Sequence, residues 1–290
     1  MRYYDSCGGD VCYVEFVNAC EADGGAPATD GGASDGGLAD CNERCAKETK
    51  RSFATCYSTM GSSGQTIYRC GGCGVGRPPK GFVARESGAR DVTGETLARI
   101  AQLEAASVFA FESLHDDLVR HHAPASLLDA VGRAADDETR HARAMTEEAV
   151  RRGVRVPEVD APLRRERTLA ELAIENAEEG CVVETFGAAL AALQAAHAND
   201  PRVRALMEPI AREELAHAAL SWELAAWLEE QIDDTTRAEV RRARERAFAS
   251  VEASIDESVA VPDLGLPERS VSRAVLLRMR EALVTGDLRA

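Results

Sequence analysis

A chain of 290 residues has room for one large domain or two smaller ones. Its 49 acidic and 34 basic side chains leave a net charge of −15, with no basic block, which argues against a nucleic-acid-binding surface. No run of 18 apolar residues occurs, which excludes a membrane-spanning helix.

Composition divides the chain near position 90. Residues 1–75 hold eight of the nine cysteines and all five tyrosines. Cys7, Cys12, Cys20, Cys41, Cys45, Cys56, Cys70 and Cys73 are an even set in a stretch with few apolar side chains. That predicts a loop-rich module stapled by up to four disulfides, whose pairing stays open. Zinc is the competing reading, since Cys70-x-x-Cys73 offers half a site. The region has no histidine and its other spacings are irregular, so disulfides are preferred. Residues 23–39, with their repeated Asp-Gly-Gly, read as a flexible loop, and residues 76–90, with Pro78-Pro79, as a linker. Disulfides would imply an extracytoplasmic compartment, although Met1 to Asp5 begins no apolar signal segment.

After position 90, Ala, Glu, Arg and Leu dominate, and the chain reads as all-α. A first helix is predicted over 93–121. The short turn His122-Ala-Pro124 folds a second helix, 125–152, back antiparallel to it. Gly153 and Pro157 end that helix, and a longer crossing leads to a third over 168–198. Cys181 on this helix reads as a buried small hydrophobe. Asn199-Asp200-Pro201 stops it and starts a fourth, with Asp200 as N-cap and Pro201 in the first turn. The order over 91–232 is hairpin, long crossover, hairpin. Residues 233–290 form a C-terminal extension of two helices, 235–257 and 268–285, expected to pack outside the first four.

Two stretches repeat one another. Glu104 precedes Asp137-Glu138-x-x-His141, and Glu179 precedes Glu213-Glu214-x-x-His217, with gaps of 34 and 35 residues from lone to paired Glu. Glu and His three apart project from one helix face. A third match, Glu112-x-x-His115, corresponds to Gly187 and Leu190 in the other copy, so it reads as fortuitous. Val108, Phe111 and Leu118 follow Glu104 at the same offsets as Val183, Phe186 and Leu193 follow Glu179. Both lone glutamates therefore fall within an apolar stripe, where a carboxylate is costly unless paired or metal-bound. Four carboxylates and two neutral imidazoles balance two divalent cations. Mixed oxygen and nitrogen donors suit iron or manganese better than calcium or magnesium. Glu184 is an alternative third-helix ligand, rotated about 140° from Glu179 in a regular helix. It shares its face with Gly180, Gly187, Ala188 and Ala191, a close-packing surface.

These residues resemble the ferritin-like di-iron carboxylate superfamily over about residues 93–231. Glu104-Ala-Ala-Ser-Val-Phe-Ala-Phe111, Asp137-Glu-Thr-Arg-His-Ala142, Glu179-Gly-Cys-Val-Val-Glu-Thr185 and Glu213-Glu-Leu-Ala-His-Ala218 are similar to a bacterial ferritin-like group with a cysteine-rich N-terminal region. The resemblance implies a ferritin-like four-helix bundle holding two iron ions, or manganese with iron, per chain. Glu104 and Glu179 would be terminal ligands, Glu138 and Glu214 bridging ones, and His141 and His217 would cap one ion each. Asp137 and Glu213 would accept from the imidazole N–H groups. It also implies an oxidoreductase of oxidase or peroxidase type, acting on O₂ or peroxide with a reductant or substrate that the sequence does not name. The absence of Tyr after position 68 argues against a tyrosyl radical within the bundle, and the linker lacks the paired Cys-x-x-Cys motifs of an ordinary rubrerythrin. The alternative is a non-catalytic metal-binding or structural helical module whose cysteine-rich part attaches a partner. An oligomer is compatible with either.

Overall fold

The structure is a computed structural model that describes residues 14–17, 55–60, 66–71, 82, 84–161 and 164–285. The chain divides into two compact units, residues 1–72 with 80–83 and residues 73–79 with 84–290. In the first, strands β1 (Val14–Val17), β2 (Thr55–Met60) and β3 (Thr66–Gly71) form an antiparallel sheet with β3 central. Cys56 stands opposite Cys70 in its register. The module expected to be loop-rich thus carries a small sheet, written in the Val, Tyr, Thr and Ile that favour strands. Cys7, Cys12, Cys20, Cys41, Cys45 and Cys73, the stretch 23–39 and most of the linker lie outside the described residues. So do the side chains on which the disulfide and zinc readings depend.

The second unit is helical in every regular element from Val92 onward, one isolated bridge between Val261 and Leu266 apart. We number its helices α1 (Val92–Arg120), α2 (Ala125–Arg151), α3, α4 (Pro201–Gln231), α5 (Asp234–Glu257) and α6 (Arg269–Thr285). Helix α3 has three consecutive stretches: α-helix Leu169–Glu175, π-helix Asn176–Glu184 and α-helix Thr185–His197.

Local chemistry sets the helix ends. Asp91 caps α1 by accepting from the Gly94 amide, Thr168 and Glu171 form a reciprocal capping box at α3, and Asp200 caps α4 ahead of Pro201. Helix α2 ends at Gly153, whose φ of 77° is open to glycine. There the amides of Gly153 and Val154 return to the carbonyls of Val150 and Ala149, the Schellman arrangement. The same pattern closes α1, with His122 at φ 56° in the position where glycine is usual.

Side chains of α1, α2, α3 and α4 meet in two separate apolar clusters. One holds Leu97, Ile100, Met145, Ala149, Val203, Met207 and Ile210; the other holds Phe111, Leu118, Leu127, Val131, Leu172, Leu220 and Leu224. Following the chain from one to the other shows α1 and α4 running one way and α2 and α3 the opposite way. The segment between α2 and α3 therefore joins two helices that run the same way. A third cluster joins Val182, Phe186 and Leu190 of α3 to Phe248, Val251 and Ile255 of α5 and Leu276 and Met279 of α6. The C-terminal helices cover the outer side of α3.

Candidate metal centre

Between the first two clusters the apolar sequence is interrupted at one level on each helix. On α1 Glu104 falls between Ala101 and Phe111, on α2 Glu138 and His141 fall between Ala134 and Met145, and on α4 Glu214 and His217 fall between Ile210 and Leu220. The π-helical stretch of α3 adds Glu184. Glu138, His141, Glu184, Glu214 and His217 are buried, and Glu104 is partly so.

Burial alone does not make a site; unmet bonding capacity does. A buried carboxylate ordinarily accepts hydrogen bonds. Both oxygens of Glu138, both of Glu184, Oε1 of Glu214 and Nδ1 of His141 and His217 have no hydrogen-bond partner. Donor atoms of Glu104, Glu138, His141 and Glu214 all lie within 4.8 Å of one another, and so do those of Glu138, Glu184, Glu214 and His217. The two groups share Glu138 and Glu214. This buried cluster can hold a metal ion.

The imidazoles are oriented from behind. His141 Nε2 donates to Glu213 Oε2 at 2.7 Å, and His217 Nε2 donates to Asp137 Oδ2 at 3.2 Å. Each acid therefore serves the histidine of the other helix. An ionised carboxylate only accepts, so Nε2 of each ring carries a proton, and Nδ1 is the nitrogen that faces the cluster. His141 Nδ1 stands 3.0 Å from Glu214 and His217 Nδ1 3.3 Å from Glu138. The Phe111 ring packs against His217 with centroids 5.3 Å apart.

Two of these acids, Glu138 and Glu214, hold protons tightly when no cation is bound. Burial raises the Glu138 carboxyl well above its ordinary range, and the charges of Glu214 and Glu104 add to this. Burial likewise lifts Glu214 to about 7, against the opposing pull of His141. Burial would lower His141, but the Glu104 and Glu214 carboxylates outweigh it and raise it to about 11. His217 moves upward despite its burial because Glu184 and Glu214 face it.

One expected ligand is not where the repeat put it. Glu179 is half-buried and belongs to neither donor group; Glu184, the alternative, belongs to one. The apolar stripe that singled out Glu179 (Val183, Phe186 and Leu193) packs toward α5 and α6. Its neighbour Glu178 pairs with Arg246 of α5 at 2.9 Å. The small-residue face of Glu184 is the one pressed against α4. A Cβ on Gly180 would come within 2.8 Å of the Ser221 hydroxyl. The other expected residues are brought together, and Glu112 and His115 take no part. Sequence reading passed over two neighbours of the cluster. Arg140 Nη2 lies 2.6 Å from both Asp137 and Glu213. Ser107, one turn beyond Glu104, is fully buried with an unpartnered hydroxyl.

Comparison with protein-family models, with curated proteins and with solved structures finds no match to this chain. Among the described residues no helix is long and apolar enough to cross a membrane.

Proposed function

We propose that α1 to α4 form a ferritin-like four-helix bundle around two metal ions, iron or manganese with iron, and that the protein is an oxidoreductase acting on O₂ or peroxide. The observation that carries this reading is the set of buried donor atoms without hydrogen-bond partners, divided into two groups that share Glu138 and Glu214. Each group offers three carboxylates and one imidazole, the donor chemistry that suits iron and manganese. Glu138 and Glu214, common to both groups, would serve both ions, with Glu104 and His141 completing the donors for one and Glu184 and His217 those for the other. Such a metal pair supplies binding of O₂ or peroxide and the electrons for its reduction.

The chain's own contribution is threefold. Asp137 and Glu213 hold the imidazoles in the tautomer that presents Nδ1. Phe111 and the flanking apolar clusters keep bulk water from the donor atoms. Glu214, whose carboxyl sits near neutrality without metal, releases its proton on loading.

The purified chain should carry two iron or manganese ions, and a ferrous-loaded sample exposed to air should develop near-ultraviolet absorption. Glu138→Ala combined with Glu214→Ala should abolish binding of both ions. Retention of both refutes the bridging roles, and metal-free protein of unchanged stability favours the structural module instead.

A further inference from the structure

We infer that Arg140 is a positioning residue that couples the two halves of the centre, an inference resting on the dinuclear reading above. Its single Nη2 lies 2.6 Å from Asp137 Oδ1 and 2.6 Å from Glu213 Oε1. The second oxygen of each of these acids holds an imidazole: Asp137 Oδ2 that of His217 and Glu213 Oε2 that of His141. One guanidinium thus closes an unbroken chain, His141 to Glu213 to Arg140 to Asp137 to His217, linking a histidine of each proposed metal ion.

The chain depends on the arginine for an electrostatic reason. Two carboxylate oxygens touching one nitrogen are at most twice its contact distance apart, and like charges so close repel. Asp137 and Glu213 are also partly exposed, at 20% and 31%, so water is within reach of either. Without the intervening cation they turn outward, and both imidazoles lose the acceptor that fixes their tautomer. Exposed ion pairs add little to folding stability, and Arg140 is itself 55% exposed, so the effect falls on the site rather than on the fold. The repeat makes the arrangement one-sided. The second copy has Ala216 where the first has Arg140, so a single cation serves both acids.

Loss of a group that orients metal ligands typically weakens metal affinity by about 10- to 100-fold. The test is a Co²⁺ titration of the chelator-stripped full chain, followed by visible absorption, with far-UV circular dichroism to verify the fold. Arg140→Gln should weaken both binding steps by about 10- to 100-fold. Arg140→Lys should restore most of each step, because one nitrogen makes both contacts. Asp137→Asn should weaken chiefly one step. Arg140→Gln that binds both ions as tightly as the unchanged chain, or that affects only one step, overturns the inference; so does failure of lysine to rescue. An unchanged chain that takes up no cobalt defeats the dinuclear reading itself, and this inference with it.

Discussion

Glu179 and Glu184 differ by five positions, and metal content separates them. Glu184→Ala should reduce the metal held per chain from two ions to about one, whereas Glu179→Ala should leave two, as elemental analysis would register. Proton linkage gives a second expectation at this scale. The Glu214 carboxyl rises from 4.5 to about 7 on folding, so the folded state holds that proton more tightly. Its stabilisation is full below 4.5 and is lost as pH climbs through 7. Glu138 shifts the same way, and the contribution of His141 is full below 6.5 and is lost as pH climbs from there through about 11. Metal-free protein should accordingly melt at lower temperature at pH 8 than at pH 5.5. The gap between loaded and stripped samples should widen over the same interval, because loading displaces the protons. A gap that narrows with rising pH would contradict the assignment. The acids and imidazoles were legible at this scale because their spacing is local to one helix. The choice between two glutamates on α3 was not, because it depends on what each face meets.

The π-helical stretch of α3 is the element that brings Glu184 to the cluster. Its nine residues follow an i to i+5 pattern, so a facing inferred from 100° per residue fails there. Asn176 secures it by donating to the Ser221 carbonyl at 2.9 Å, and Gly180 provides the clearance against Ser221. Gly180→Ala puts a methyl within 2.8 Å of the Ser221 hydroxyl and 2.5 Å of Asn176 Oδ1. Urea denaturation should show a loss of about 1–3 kcal/mol, the usual penalty for overpacking. At the end of α1 the opposite change is available. His122 occupies a left-handed position, and His122→Gly should raise stability by roughly 0.5–1 kcal/mol in the same assay by removing that strain. Helix boundaries were readable from Asp91, Thr168, Asp200 and Gly153, whose capping acts within a few residues. The π-helix carried no such mark.

Across the whole helical unit, a polar layer lies between two apolar clusters, and each supports the other. The clusters keep the donor atoms dry, while the layer concentrates acidic charge that only cations or protons relieve. Removing bound metal should therefore lower the melting temperature. At ligand concentrations a hundredfold above the dissociation constant, each site contributes about 2.7 kcal/mol. At the far end of the same unit, Leu264 from the segment between α5 and α6 enters the cluster of Leu97, Ala198 and Val203 with no exposed surface. Leu264→Ala should cost about 2–5 kcal/mol, measured by denaturant titration, although the residue lies outside the four helices that carry the site.

Sequence by itself determined the helical character of the second unit, most helix ends, and five of the six residues now grouped at the cluster, because caps, turns and i, i+3 spacing are short-range. It could not determine which side of α3 faces inward. That was decided by α5 and α6, which claim the apolar stripe of Val183, Phe186 and Leu193 and leave the small-residue face of Glu184 to α4. The crossed pairing of each histidine with the other helix's acid, and the one arginine between those acids, likewise exist only once α2 and α4 are side by side. A face acquires its role from the partner it packs against, and that partner can lie anywhere in the chain.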